Sequence, residues 1–258
     1  MTSSPESFPD DVLVVIPARY RSTRLPGKPL ISIAGKPMIV RTAERCFEVV
    51  PRDQVVVATD DERIAEVCRE HNIRVEMTRD DHPTGGDRVA EIATRLPAAL
   101  YVNVQGDEPV FNPDDILRIV EASASDRTRA YTGYCPMSED QWGDSKYIKL
   151  TFGLNKQLIY IGRANVPGSH DGKFRFAYRH VCVYAYSREV LSKFASTGGR
   201  TTLEAVEDHE IMRFLELGMP VGVVEMSDDS MPVDRPDDVE KVEQRLAQMA
   251  AGSANAPQ

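Results

Sequence analysis

VLVVIPARYRSTRLPGKPL, residues 12 to 30, decides how the rest of the chain is read. Its first five residues are apolar and mostly β-branched, and Pro17 ends the run. That is the pattern of a short strand buried on both faces of a parallel sheet. The loop behind it carries Arg19, Arg21, Arg24 and Lys28 with one glycine, Gly27. In open α/β sheets the segment after the first strand is the usual seat of a phosphate group. Neither GxxxxGK[ST] nor GxGxxG occurs here, so a phosphate would be gripped by cationic side chains more than by bare backbone. On the cluster alone, a solvated, proline-stiffened loop is an equal alternative.

Outward from this stretch the pattern alternates. A helix is expected with Met38, Ile39, Ala43, Cys46 and Phe47 on one face, then a strand at 55–59, a helix at 61–71 and a strand at 73–77. A helix at 87–96 and a strand at 99–106 follow. Strands alternating with helices imply a mainly parallel sheet flanked by helices. After about residue 130, IKLTFG, QLIYIG and FAYRHVCVYAYS alternate more strictly, with Asn155 and Lys156 at a turn, which predicts an insertion of hairpin-like antiparallel strands on one side of the sheet. LEAVEDHEIMRFLELG is expected to form one amphipathic helix ended by Gly218. A strand at 221–226 and a helix from Pro236 complete the pattern. Residues 1–11 and 249–258, small, polar or proline-bearing, are expected to be poorly ordered, and 12–248 to form a single α/β unit.

The balance of 31 Lys and Arg against 40 Asp and Glu gives a net charge of −9. Such a chain is not steered as a whole onto nucleic acid or anionic lipid, so the early cations must act locally. Cys46, Cys68, Cys135 and Cys182 show no CxxC and no histidine at metal-ligand spacing, which argues against zinc and against a disulfide framework. No signal peptide or membrane-spanning stretch is visible, and a soluble, cytoplasmic protein is expected.

Three further segments carry chemistry. In VNVQGDEPV, 102–110, Asp107 and Glu108 follow a strand end, where a carboxylate is placed either to hold Mg²⁺ or merely to start a turn. In VDRPDD, 233–238, Asp234 precedes a helix and reads as an N-cap or as a second metal carboxylate. TRDDHPTGGDR, 78–88, sets Thr, His, Gly-Gly and Arg in a loop that a ligand could approach closely, or that is only a turn. None of the five histidines belongs to a recognisable Ser/His/Asp or HExxH set.

Taken together, IPARYRSTRLPGKPL, GKPMIVRTAER, VVVATDDERIAE, MTRDDHPTGGDR, VNVQGDEP and VDRPDDVEKV closely resemble the 3-deoxy-manno-octulosonate (Kdo) cytidylyltransferases, the CMP-Kdo synthetases. The likeness is strongest over 12–120 and continues over 145–245. It implies a Rossmann-like nucleotidyltransferase fold, a Mg²⁺-dependent reaction of CTP with a small 2-keto sugar acid, and release of diphosphate. By position it implies that Arg19, Ser22, Arg24 and Lys28 clamp the triphosphate, with Lys28 and Arg19 counted as catalytic. Thr78, Arg79, Thr84 and Gly85 match the region around the nucleotide, and Asp107 and Asp234 match catalytic, magnesium-binding aspartates. Gln105, Arg163, His180, Tyr184 and Glu210 match sugar-acid residues. It further implies a homodimer, with the antiparallel 145–190 segment serving sugar binding and the dimer contact.

Arg21 stands where the family commonly has a small residue and is set aside as a solvated bystander. Gly86 replaces a hydroxyl residue, Ile211 an amide, and Pro232-Val233 a glycine-valine pair. These departures leave open an 8-amino Kdo, another ulosonic acid or a different acid as acceptor. A nucleotide-binding regulator that has lost turnover is a separate reading, opposed by the presence of Lys28, Asp107 and Asp234 together.

Overall fold

The computed structural model describes residues 8–22 and 25–254. Strand β1, Val12–Ala18, is buried along its whole length. Beyond its loop come a two-residue hairpin, β2 Ser32–Ile33 and β3 Lys36–Pro37, and helix α1, Met38–Cys46. The alternation then continues through β4 Val55–Thr59, α2 Glu62–Glu70, β5 Val75–Met77, α3 Gly85–Arg95 and β6 Leu100–Val104. α4 Asp114–Ala124, β7 Ala130–Pro136 and α5 Glu139–Gly143 lead into β8 Lys149–Phe152, β9 Leu158–Gly162 and β10 Tyr178–Tyr186. α6 Arg188–Ala195, α7 Thr202–Glu207, α8 Ile211–Glu216, β11 Val221–Glu225 and α9 Pro236–Ala254 complete the order.

One nine-stranded sheet has the order β11-β7-β10-β6-β1-β4-β5, with β8 pairing β10 and β9 pairing β8. β1 pairs in parallel with both β4 and β6, as β4 does with β5 and β11 with β7. β10 runs antiparallel to β6 and β7. The α/β, mainly parallel architecture matches the nucleotidyltransferase expectation, but the antiparallel element lies elsewhere than expected. β10 is not added at one side; it lies inside the sheet, and only β8 and β9 form the lateral hairpin.

The sheet is covered on both faces because alternate residues of β1 serve different cores. Val12, Val14 and Ile16 pack with Ile39, Ala43, Ile64, Ile116 and Ile119. Leu13 and Val15 pack with Val89, Ile92, Leu191, Phe194 and Phe214 on the other side.

Two expectations about the ends change. Phe8 is buried in the first of these cores, and Gln54 Nε2 donates to the Pro9 carbonyl at 2.7 Å, so packing begins before residue 12. α9 continues to Ala254, past residue 248. Residues 1–7 and 255–258 lie outside the described residues. The expected single helix over 203–218 is also broken: Asp208 takes the left-handed conformation (φ 51°), separating α7 from α8 and leaving His209 and Glu210 between them.

From β1 the chain moves outward through β4 and β5, then returns to β6 on the opposite side of β1. This reversal opens a crevice beyond the carboxyl ends of β1 and β6, the position where such sheets take ligands. The two strand ends approach so closely there that Gly106 has no room for a side chain. A Cβ at that position would lie 2.8 Å from the Pro17 carbonyl oxygen. Gly106→Ala is therefore expected to cost about 1–3 kcal/mol. Urea denaturation reads this directly; an unchanged midpoint would show that the strand ends separate freely.

Candidate active site

The loop after β1 is closed by Gly27. Its φ of 69° suits glycine, its N–H donates to the Tyr20 carbonyl at 3.1 Å, and a Cβ there would press on the Tyr20 ring at 3.2 Å. The Arg63 guanidinium stacks over that ring at 3.4 Å. Leu25 N–H donates to Ser22 Oγ at 3.3 Å, tightening the same loop. A short 3₁₀ turn, Lys28–Leu30, follows with Pro29 buried, and carries the Lys28 side chain inward.

Lys28 Nζ donates to Asp107 Oδ2 at 2.5 Å and to Asp234 Oδ1 at 3.0 Å. Three residues far apart in the sequence thus meet, and the backbone explains how. Val233 N–H donates to the Asp107 carbonyl at 2.9 Å, and Met231 N–H to the Val110 carbonyl at 3.0 Å, laying segment 231–234 along segment 107–110. From the first turn of α9, Asp238 Oδ2 accepts from the N–H groups of Asp234 (3.0 Å) and Arg235 (2.9 Å), fixing the backbone that presents Asp234. Burial opposes the Lys28 charge, but Asp107 and Asp234 outweigh it and raise the Lys28 pKa. Neighbouring Glu108 is buried against Ser230 Oγ at 2.6 Å, and burial pushes its carboxyl up to about 7.

Arg19, Ser22 and Arg21 line one cleft with Tyr20 and Pro26. Arg21, set aside on sequence, therefore stands beside Arg19. Arg24 lies outside the described residues.

Across the crevice, Thr84 caps α3, accepting from Asp87 N–H at 3.3 Å and donating to Asp87 Oδ2 at 2.7 Å. A Cβ on Gly85 would lie 3.5 Å from Gln105 Oε1, so Gln105 adjoins the start of α3. Gly86 N–H donates to Glu210 Oε2 at 2.8 Å. A side chain at 86 would crowd Glu210 Oε2 (3.1 Å) and the Phe194 ring (3.2 Å), so the missing hydroxyl is matched by the seat of Glu210. Asn103 Nδ2 reaches Glu210 Oε1 at 3.4 Å and Gln105 Nε2 reaches Asn103 Oδ1 at 3.5 Å, linking Gln105 to Glu210. Ile211 is buried in the core with Phe214, so its apolar side chain faces packing.

His180 Nε2 lies 2.7 Å from Thr132 Oγ1, and its Nδ1 3.3 Å from His209 Nε2. The Tyr184 ring centroid is 5.4 Å away. Burial depresses both histidines, His209 to about 4, so the pair is neutral near pH 7. Arg163 gives its backbone N–H and Nε to Glu207, and its Nη1 to the Ser145 carbonyl. Arg79 does not join these groups: it is 68 % exposed and forms a bidentate pair with Asp81. Thr78 Oγ1 instead accepts from Arg88. His209, Asn103, Thr132 and Arg88 were not singled out from sequence. A break in the 203–218 periodicity would have exposed His209, but none is written there.

Burial pushes the Glu210 carboxyl up to about 7 from 4.5, the Gly86 N–H acting against the rise and Asp87 adding to it. A carboxyl with a raised folded pKa binds its proton more tightly in the folded state. Its contribution to stability therefore falls as pH rises from about 4.5 to about 7. Glu210→Gln is expected to flatten this loss, gaining roughly 1–3 kcal/mol on wild type at pH 8 relative to pH 5. Parallel melting curves for the two proteins across that range would contradict the assignment.

Among the described residues, no cluster of three or more His, Cys, Asp or Glu side chains forms a metal cage. Asp107 and Asp234 bring two carboxylates together on Lys28, a donor set that would fit Mg²⁺ shared with substrate phosphates. The described cysteines are unbridged, and no described helix is long and apolar enough to cross a membrane.

Residues 13–221 match the family described as cytidylyltransferase. The chain is 38% identical to a 3-deoxy-manno-octulosonate cytidylyltransferase of Geobacter metallireducens, covering 92% of this chain and 98% of that one. It is 37% identical to an 8-amino-3,8-dideoxy-manno-octulosonate cytidylyltransferase of Shewanella oneidensis, with 92% and 99% covered. A solved CMP:2-keto-3-deoxy-manno-octonic acid synthetase complexed with CTP superposes with a TM-score of 0.86 at 32% identity, covering 93% of this chain and 100% of that one. An inositol-1-phosphate CTP transferase from T. maritima shares the fold at TM-score 0.68 and 16% identity, with 95% and 99% covered.

Proposed function

Because the chain belongs to the cytidylyltransferase family, we propose that it transfers the cytidylyl group of CTP to the anomeric hydroxyl of a Kdo-type 2-keto-3-deoxy sugar acid. The hydroxyl oxygen forms a bond to the α-phosphorus, the bond to the bridging oxygen breaks, and diphosphate leaves with that electron pair. The hydroxyl proton passes to solvent. The observation that carries this reading is the meeting of Lys28, Asp107 and Asp234 at the crevice.

Such a displacement needs positioning and charge neutralisation, not a covalent nucleophile. Lys28, whose pKa is raised, is a fixed cation for the leaving diphosphate, and Arg19 and Ser22, which line a cleft in the same loop, are assigned to the triphosphate with it. Asp107 and Asp234 are assigned to hold Mg²⁺, which when bound neutralises phosphate charge. Gln105, Glu210, His180 and Tyr184 are assigned to the sugar acid, with neutral His180 and His209 offering hydrogen-bonding groups without added charge.

Kdo is the favoured acceptor, and 8-amino Kdo is the second reading because relatives of both kinds are equally similar. A panel of ulosonic acids, compared by kcat/KM for diphosphate release, separates them. The panel is expected to single out one of these two acids by roughly tenfold or more. If no ulosonic acid in the panel supports release while CTP still binds, the acceptor class is refuted. Exposed Leu154, Ile159 and Phe176 in the 145–190 segment support a homodimer, checked by sedimentation. Unbridged cysteines and the absence of a membrane-spanning described helix support a cytoplasmic location.

A further inference from the structure

Three buried charged side chains, carried by three different elements, all bond to one short strap. The strap, residues 226–235, runs from the end of β11 to α9 and carries Asp234. Asp115 in the first turn of α4, Glu108 beyond β6 and Arg179 on β10 are 0 %, 2 % and 8 % exposed. Asp115 Oδ1 accepts from Ser227 N–H at 3.0 Å, and its Oδ2 from Ser227 Oγ at 2.7 Å. Arg179 Nε and Nη2 both donate to Asp228 Oδ1, the first at 3.1 Å. Ser230 Oγ donates to Glu108 Oε2 at 2.6 Å.

Apolar packing alone does not set the course of this strap. Met226 and Val233 are buried, but between them no apolar side chain is. The strap is therefore held by hydrogen bonds to groups whose own burial is tolerable only while those bonds last. One of the three tethers reaches the site itself. Asp107 faces the crevice, where its carboxylate meets Lys28, while the next residue, Glu108, faces the interior and holds Ser230. The Asp107 carbonyl also accepts from Val233 N–H at 2.9 Å. Two adjacent residues thus grip the strap at positions 230 and 233, and Asp234 is the next along.

We infer that the Glu108–Ser230 hydrogen bond is a lock that sets the separation of the two site carboxylates, making Ser230 a positioning residue for the divalent cation. The inference rests on the reading of Asp107 and Asp234 as the Mg²⁺ carboxylates. Glu108 acts here through its bond to Ser230, not by touching the metal. A locked strap presents Asp234 already in place, whereas a loose one has to be ordered as the cation binds, which weakens binding.

Mn²⁺, a paramagnetic substitute for Mg²⁺, titrated into nucleotide-free protein and followed by the EPR signal of the free ion, tests this without turnover. Wild type is expected to bind Mn²⁺ in a manner that Asp107→Asn abolishes. Ser230→Ala should weaken that binding roughly tenfold. Glu108→Gln, which keeps an acceptor oxygen for Ser230 and loses the charge, should stay close to wild type. In turnover, the Mg²⁺ concentration for half-maximal diphosphate release should rise by the same factor in Ser230→Ala, with kcat recovering at saturating Mg²⁺. Thermal melting confirms that each variant is folded; a bond with only a structural role would lower Tm and leave the Mn²⁺ affinity unchanged. A folded Ser230→Ala with wild-type affinity overturns the inference. So does a Glu108→Gln that binds as weakly as Ser230→Ala, since charge and not the lock would then be the cause. Mn²⁺ binding that survives Asp107→Asn would instead refute the metal assignment, and the inference with it.

Discussion

Asp107→Asn and Asp234→Asn are each expected to lower kcat for diphosphate release by roughly 10²–10³-fold or more while leaving the protein folded. Both side chains stand at the crevice, 35 % and 45 % exposed, and neither fills core volume. Asparagine keeps the shape and one acceptor oxygen but removes the charge that pairs with Lys28 and that the proposed Mg²⁺ would require. Steady-state kinetics with melting curves check this. Either variant retaining more than about a tenth of wild-type kcat would contradict the metal assignment.

The second large effect lies behind the site. The Arg213 side chain is fully buried, with Nε and Nη2 on Glu204 at 2.7 Å each and Nη1 and Nη2 on Asp87 at 2.6 and 3.0 Å. Its guanidinium also stacks on Phe194 at 3.8 Å. This network ties α7 and α8 to the start of α3, and through Asp87 it holds Thr84. Arg213→Met leaves two buried carboxylates without their counter-charge, a loss of about 3–5 kcal/mol. For a chain of this size that is a fall in Tm of roughly 6–20 °C. Adding Asp87→Asn and Glu204→Gln should recover much of the loss. A Tm unchanged in Arg213→Met would show that the ion network is dispensable.

The parallel half of the fold was legible because β1, β4 and β6 are short apolar runs, which is what burial on both faces demands. β7, reading AYTGYCP, was not: its Thr, Gly and Tyr break the apolar signal, although six of its seven residues are buried. The place of β10 inside the sheet was hidden too, since local alternation fixes a strand and not its neighbours. The break at Asp208 escaped notice because apolar periodicity runs straight across it, and only backbone geometry reveals the left-handed turn.

The site shows the same division. Lys28, Asp107 and Asp234 were singled out by motif, and the structure brings them within hydrogen-bonding distance. Arg88 and Arg213 were not, because a charged residue on a helix reads as solvent-facing until the fold supplies its partners. Arg79 illustrates the converse: a motif position whose side chain the fold turns onto Asp81 at the surface.

The central claim is that Lys28, Asp107 and Asp234 form a Mg²⁺-dependent centre for cytidylyl transfer. Its most direct test is the rate of diphosphate release from CTP and Kdo as Mg²⁺ is titrated into metal-stripped protein. The account predicts no release in EDTA and saturable recovery with Mg²⁺, abolished in Asp107→Asn. Release that proceeds at the same rate in EDTA as in Mg²⁺ would contradict it.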